Sequence, residues 1–405
     1  MSFLNRANWP PPKLTLDDLT AVAIYFNPEL DLARARLRTS QAAILTARGR
    51  PNPSLSTGAG WENAPESALA FHFDAAFTLE TAGKRRWRIL QAEKLAEAAR
   101  VSVAETAWRV RSRVRAAWLD DVMAIRALDL LRRERDVRAE DAAILENRLS
   151  AGEVAMPDVN SARTALISVD VETKAAETSV RESDASLAWA VGLPSLPDID
   201  AQALPPTPAE LPLAEVQKAG VLHRADIRRG LLEYAAAEAA LRVEIANQYP
   251  NVDLSPAYAF EEGFHMITFG PALVLPLLNR NQGPIGEAEA RRAEAEVRFK
   301  GLQAQAIGEM KIALAGYQGS LAELADADQR LMRIQRVREA AMRRAVAAGE
   351  EDRLALVGVQ VEGAVASRAR LDALRRVQSA LGALEDAVQQ PLPPGHSLPN
   401  PELKP

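Results

Sequence analysis

The chain has 405 residues, 48 % of them hydrophobic and 25 % charged, with a net charge of −5. That length holds two or three ordinary domains, and the mildly acidic balance leaves no clustered basic face for nucleic acid. Cysteine is absent, which excludes disulfides, thiolate metal sites, a cysteine nucleophile and a lipid-modified N-terminal cysteine.

Residues 1–12 form a proline-rich tail without the apolar core of about 7–15 residues that a secretory signal carries, so no signal peptide is expected in this chain. No later run approaches the roughly 20 apolar residues of a membrane-spanning helix. The first half-chain, residues 13–193, opens with helical segments and then alternates. From Leu69 the odd positions are Leu69, Phe71, Phe73, Ala75, Phe77 and Leu79, and the even ones Ala70, His72, Asp74, Ala76, Thr78 and Glu80. This predicts strands at about 53–62 and 68–80, apolar on one face and small or polar on the other.

From Lys84 to Arg148 there is neither proline nor glycine, which predicts a helix roughly 100 Å long at the usual rise. Its apolar positions, from Ile89, Ala92, Ala96 and Ala99 through Val103, Val110 and Val114 to Ala117, Ile125 and Leu128, step by three and four as a coiled-coil seam does. Abundant alanine lets partner helices approach closely. Ser150-Ala151-Gly152-Glu153 marks a reversal, and Met156-Pro157-Asp158 opens a helix to about Val191. A proline-rich linker, 194–210, follows.

The second half, 211–388, repeats this order: strands at about 250–261 and 264–277, a helix from Ile285 to about Val346, a turn at Ala348-Gly349-Glu350-Glu351-Asp352, and a helix to about Val388. Gly308, Gly316 and Gly319 are expected to weaken the long helix, at up to about 1 kcal/mol each against alanine. A proline-rich tail, 389–405, closes the chain. Pro51-Asn52-Pro53 returns as Pro250-Asn251-Val252, Thr78-Leu79-Glu80 as Pro276-Leu277-Leu278, and Ala151-Gly152-Glu153 as Ala348-Gly349-Glu350, at separations of about 199, 198 and 197 residues. Such units are too long for a solenoid repeat of roughly 20–50 residues and read as a duplicated half-protein.

Four strands of about ten residues match the length and dyad period of outer-membrane barrel strands. A half-buried soluble sheet shows the same alternation, but two hairpins can neither close a barrel nor hide their edges. Assembly of several chains is therefore expected; a trimer supplies twelve strands.

With these features the chain resembles the outer-membrane efflux protein (TolC-like) family over about residues 14–388. The matching segments are Asn27-Pro28-Glu29-Leu30, His223-Arg224-Ala225-Asp226-Ile227, the strand openings Pro51-Asn52-Pro53 and Tyr249-Pro250-Asn251, and two strand exits. The exits, Thr78-Leu79-Glu80-Thr81-Ala82-Gly83-Lys84-Arg85-Arg86 and Leu275-Pro276-Leu277-Leu278-Asn279-Arg280-Asn281-Gln282-Gly283, resemble the cobalt-zinc-cadmium resistance branch. The resemblance implies an α+β membrane protein: a homotrimer with a twelve-stranded β-barrel in the outer membrane and a periplasmic α-helical tunnel. The implied role is the exit duct of a tripartite efflux pump, partnered by outer-membrane lipid, a periplasmic adaptor and an inner-membrane pump of the resistance-nodulation-division type. Heavy-metal cations are the implied cargo; a type I protein secretion duct, a drug efflux duct and a soluble coiled-coil scaffold are the alternatives.

The family's functional residues sit at the periplasmic tip, which implies a gate or adaptor contact at Gly152, Glu153, Asp158, Gly349, Glu350, Glu351 and Asp352. Acidic residues there also suit simple helix capping. His72, Asp74, Glu80, Asp253 and Glu261 are expected in the barrel lumen. His72, His223, His265 and His396 show no ligand spacing such as i, i+4, and neither a G-x-S-x-G elbow nor a phosphate loop occurs. No metal site, cofactor or catalytic residue is expected.

Overall fold

The computed structural model describes residues 13–62, 68–196, 199–200, 204–205, 207–208, 220, 224–261 and 263–392. His223, His396, residues 1–12 and 393–405, and part of the 194–210 linker lie outside the described residues.

Thr15 starts the first helix, α1 (Leu16–Phe26), with a capping box: its hydroxyl accepts from the Asp18 amide at 3.3 Å while the Asp18 carboxylate accepts from the Thr15 amide at 3.2 Å. Asn27 ends that helix, and Pro28, whose fixed φ suits a first turn, begins α2 (Pro28–Arg48). Two strands follow, β1 (Ser54–Glu62) and β2 (Ala68–Leu79), then α3 (Lys84–Ser150) and α4 (Met156–Val191). The later elements are α5 (Ala225–Ala246), β3 (Val252–Glu261), β4 (Phe264–Leu273), α6 (Gln282–Asp326), a π-helical segment (Ala327–Leu331), α7 (Met332–Ala347) and α8 (Arg353–Val388).

The four strands make one antiparallel sheet in the order β1-β2-β3-β4. Its register sets Leu55 opposite Ala75, Phe73 opposite Tyr258, and Tyr258 opposite Ile267, so most of the large apolar residues share one face, while Phe264 and Met266 of β4 lie on the other, opposite Glu261 and Ala259. Pairing between β2 and β3 lapses at Ala75 and Ala76, beside Pro256, which has no N–H to give to the ladder. β4 ends at Leu273, short of the expected 277; the prolines at 271 and 276 remove two donors from that stretch.

The long second-half helix runs through Gly308, Gly316 and Gly319 without interruption. Its irregularity lies further on, in the π-helical turns at Ala327–Leu331, a stretch with neither glycine nor proline. There Asp328 is bound by Arg370 of α8. Glycine lowers helix propensity by only about 1 kcal/mol, less than the packing of a long helix supplies, whereas a side-chain anchor can hold a local change of pitch.

The chain forms two compact units, each drawing on both halves of the sequence. One comprises the described parts of Met1–Leu32, Ala104–Arg224 and Gln305–Pro405. Its core joins α3 to α4 and α8. The buried set on this part of α3 is wider than one seam: Val110 and Val114 are joined by Trp108, Trp118, Leu119 and Val122. The extra stripe exists because α3 has partners on two sides: α4 through Asp121 and Ser183 (2.6 Å), and α8 through the Trp108 indole and Asp386 (3.1 Å). Gly382 lets α8 pass close to Arg115, whose guanidinium occupies the place a Cβ would take. The linker is strapped to this unit, its Pro205 and Pro208 carbonyls accepting from Gln378 and Tyr317. Leu392 is likewise buried and donates its amide to Glu385, so the C-terminal tail packs through residue 392. The other unit, Ala33–Val103 with Ala225–Ala304, holds the sheet.

Candidate functional site at the helix turns and the sheet faces

The two helix reversals are built alike. At the first, the Gly152 backbone takes φ +78 and the Glu153 amide reaches back to the Arg148 carbonyl at 2.8 Å. At the second, Gly349 takes φ +75 and the Glu350 amide reaches the Ala345 carbonyl at 2.9 Å. This closure needs a left-handed residue just past the helix end, which glycine adopts without a Cβ clash.

The acidic residues at the turns divide into two kinds. Asp158 accepts from the Ala155 amide at 3.2 Å and Asp352 from the Ala355 amide at 2.8 Å, so both cap the start of the following helix. Asp352 also accepts from Arg148 at 2.9 Å. The Ala355 amide and then Arg148 hold its carboxyl below the usual aspartate value. Arg353 grips Glu140 of α3 with two bonds, at 2.5 and 2.9 Å, and holds that carboxyl below its usual value. Glu153, Glu350 and Glu351 are exposed and have no cationic partner among the described residues. The turns thus combine two fixed carboxylates with three free ones.

On the sheet, the even positions of β2 meet small residues of its neighbours: His72 lies opposite Gly58 and Ala259, and Asp74 opposite Ser56 and Ala257. His72 Nε2 is 3.7 Å from Asp74. The Thr78 hydroxyl donates to Asp253 at 2.6 Å, and Glu261 ends β3 on the same face, opposite Phe264. Four expected lumen residues therefore share one face. Glu80 stands apart, one residue beyond β2, its carboxylate clamped by Arg88 at 2.6 Å and held below its usual value by that bond. His265 belongs to the other face, where Nδ1 is 2.6 Å from the Tyr258 hydroxyl and the ring packs on Phe260.

That other face is apolar and bare: Leu55, Trp61, Leu69, Phe73, Phe77, Ile267 and Phe269 are all exposed, Ile267 by 82 %. The outer edges of β1 and β4 have no strand partner among the described residues. Also among these residues, no group of three or more His, Asp or Glu is arranged to hold a metal ion, and no helix is long and apolar enough to cross a membrane.

Sequence reasoning did not find the buried ionic cluster where α3 meets α8. Glu385 accepts from Arg111 at 2.8 Å and lies 3.5 Å from Arg115, while Asp386 accepts from Trp108 and Ser112. Burial pushes the Asp386 carboxyl up and the Arg115 guanidinium down from their ordinary values. The partners are about 275 residues apart in sequence, and no local motif announces them.

Residues 21–193 match the family model described as outer membrane efflux protein. The chain is similar to the cobalt-zinc-cadmium resistance protein CzcC of Cupriavidus metallidurans, with 28 % identity over 294 residues, covering 70 % of this chain and 68 % of that protein. Its fold is shared with the outer membrane protein VceC of Vibrio cholerae (TM-score 0.73, 22 % identity, 92 % of this chain and 95 % of that one). It is also shared with the CmeC outer membrane channel of Campylobacter jejuni (TM-score 0.75, 15 % identity, 95 % and 90 %). Over residues 21–193 the chain is thus similar to the outer membrane efflux protein family, and its fold is that of outer membrane channels.

Proposed function

We propose that three copies of this chain join their sheets into one twelve-stranded barrel in the outer membrane, continued by a periplasmic helical tunnel, as the passive exit duct of a tripartite efflux pump. The observation that carries this reading is the sheet: a bare apolar face, an opposite face of mostly small and polar residues that turns apolar at Phe264 and Met266 beside the β3–β4 hairpin, and two edges unpaired among the described residues. In water such a surface aggregates. In lipid it is stable once every edge is paired, because the bilayer core tolerates no unsatisfied backbone.

A periplasmic adaptor and an inner-membrane pump of the resistance-nodulation-division type complete the machine. Similarity to a cobalt-zinc-cadmium resistance protein supports metal cations as cargo. His72, Asp74, Asp253 and Glu261 line the barrel. Glu153, Glu350 and Glu351 face the aperture at the tunnel tip, where Arg148–Asp352 and Arg353–Glu140 tie the helix ends. In a narrow threefold opening, free carboxylates concentrate cations.

The test is the oligomeric state of protein extracted in mild detergent, measured by light scattering, with conductance in a planar bilayer. A heat-stable trimer that conducts is expected. A monomer with intact strand signal, or a protein soluble without detergent as a scaffold would be, overturns the reading.

A further inference from the structure

One end of the sheet is strongly basic. Because both hairpins are antiparallel, the starts of β1 and β3 and the ends of β2 and β4 lie at the same end. Around these four junctions the chain places Arg48, Arg50, Lys84, Arg85, Arg86, Arg88, Arg242 and Arg280. The acidic residues there are already engaged: Glu80 by Arg88, Glu93 by Arg48, Glu238 by Arg242 and Arg292, and Glu244 by Asn281. Arg50, Arg86 and Arg280 have no carboxylate partner among the described residues, whereas Arg85 donates to the Arg48 carbonyl and lies in the field of Glu80. Arg50, Arg86 and Arg280 are exposed.

Two further observations bear on what these cations meet. Trp87 lies among them, with the Arg86 and Arg242 guanidinia 5.3 and 5.9 Å from its ring centre, and Tyr249 beside β3 is 59 % exposed. Directly after β4, Leu275, Leu277 and Leu278 project into the surroundings just before Arg280, Leu278 wholly exposed. Amphipathic aromatics, bare leucines and unpaired arginines at the rim of an apolar face are what a lipid interface accommodates. Guanidinium groups match phosphate oxygens in fork geometry, whereas the hairpin end of the sheet carries Glu62 and Glu261.

We propose that this basic rim binds the phosphate groups of anionic phospholipids in the membrane leaflet at the helical end of the barrel, fixing the depth of the sheet in the bilayer. The inference rests on the outer-membrane reading above. Arg50 and Arg280 meet headgroups from β1 and β4, the two strands that abut neighbouring chains in the trimer, and Arg85 and Arg86 do so from the junction after β2.

The experiment titrates detergent-purified protein with phosphatidylglycerol or phosphatidylcholine of identical acyl chains and counts retained lipids by native mass spectrometry. Phosphatidylglycerol is expected to bind at least about tenfold more tightly, and Arg50→Gln and Arg280→Gln each to weaken it about fivefold, the effect of one interfacial charge. Arg50→Lys should retain most of the preference. Both arginines are exposed, and the trimer mass in the same spectrum shows that the variants assemble. Equal retention of the two lipids, or an unchanged preference in both glutamine variants, overturns the proposal. Complete displacement of phosphatidylglycerol by millimolar inorganic phosphate also overturns it, in favour of a free-anion site. A trimer that retains both lipids equally leaves the outer-membrane reading standing, whereas a protein soluble and monomeric without detergent removes both.

Discussion

Arg148, in the last turn of α3, donates at 2.9 Å to the carboxylate of Asp352, which at the same time caps α8 through the Ala355 amide. One side chain thus fixes the start of its own helix and ties it to the end of another. The cap is the more local of the two bonds, since the amide lies three residues away and needs no long side chain to be ordered. Removing the arginine should therefore release the tie while leaving the cap in place. Arg148→Ala is expected to speed amide exchange at residues 150–154 with little change at 354–356, whereas Asp352→Ala speeds both, by about fivefold or more at Ala355. Equal effects of the two substitutions would show that cap and tie are not separable.

The same carboxylate sets a pH dependence. Its folded pKa lies below the ordinary value of 3.8 because the Ala355 amide and Arg148 favour the charged form. For a depressed acid, the stabilisation is fully present above the unfolded value and is lost as pH falls through the lower folded one. The turn should thus be unchanged between pH 5 and 8 and loosen only below about 3.8. Isotope-edited infrared titration of the Asp352 carboxyl checks this; a midpoint above the ordinary value would contradict the geometry.

On the sheet, Phe73 and Asp74 are adjacent in sequence and opposite in face. Phe73→Asp sets a charge on the apolar face, at a cost of a few kcal/mol depending on depth in the bilayer. Asp74→Asn leaves a polar group beside His72. Heat-stable trimer on gels should disappear in the first variant and persist in the second. If both survive equally, the faces are assigned the wrong way round.

Inside the helical unit, Glu385 and Asp386 are neighbours with different partners. Glu385 faces two guanidinia, from Arg111 and Arg115, whereas Asp386 accepts from the neutral donors Trp108 and Ser112. Glu385→Gln removes the carboxylate nearest two buried guanidinia and leaves them the less direct Asp386, so it should cost about 3 kcal/mol. Asp386→Asn keeps an acceptor oxygen and removes a charge that burial opposes, so about 1 kcal/mol is expected. Denaturant unfolding of the purified variants compares them, and a larger loss for Asp386→Asn would reverse the assignment.

These contrasts mark where sequence reading stops. The dyad pattern from Leu69 to Leu79 located β2 and its faces because period-two alternation is local, and Gly152 and Gly349 located the reversals because a left-handed backbone asks for glycine. The second buried stripe of α3 was illegible, since Trp108 and Trp118 are buried by helices distant in sequence. The π-helical turns at Ala327–Leu331 carry no breaker residue, while the glycines that looked like breakers interrupt nothing. Two contacts join the halves to their own ends in the same way: Asn27 donates to the Ala190 carbonyl and Arg224 to the Ala387 carbonyl, each across 163 residues. Different residue types occupy the two places, so the shared contact was not visible as a shared motif. Glu350, Glu351 and Asp352 likewise read as one acidic run, although backbone geometry makes only the last of them a cap.

That division sharpens the test of the gate. Substituting Asp352 would loosen a helix start and confuse stability with selectivity, so it stays in place. Glu153→Gln, Glu350→Gln and Glu351→Gln together remove three exposed carboxylates per chain that bond to no cation among the described residues. Around a threefold axis this removes up to nine negative charges, given the trimer proposed above. Like charges crowded in an aperture repel one another and focus a potential that draws cations and excludes anions. The triple variant should assemble in normal yield and lose a substantial part of its cation preference, read as a reversal potential shifted toward zero across a salt gradient. If these carboxylates are merely solvated, the reversal potential stays at the wild-type value, and the gate must then be sought in the ties Arg148–Asp352 and Arg353–Glu140 instead.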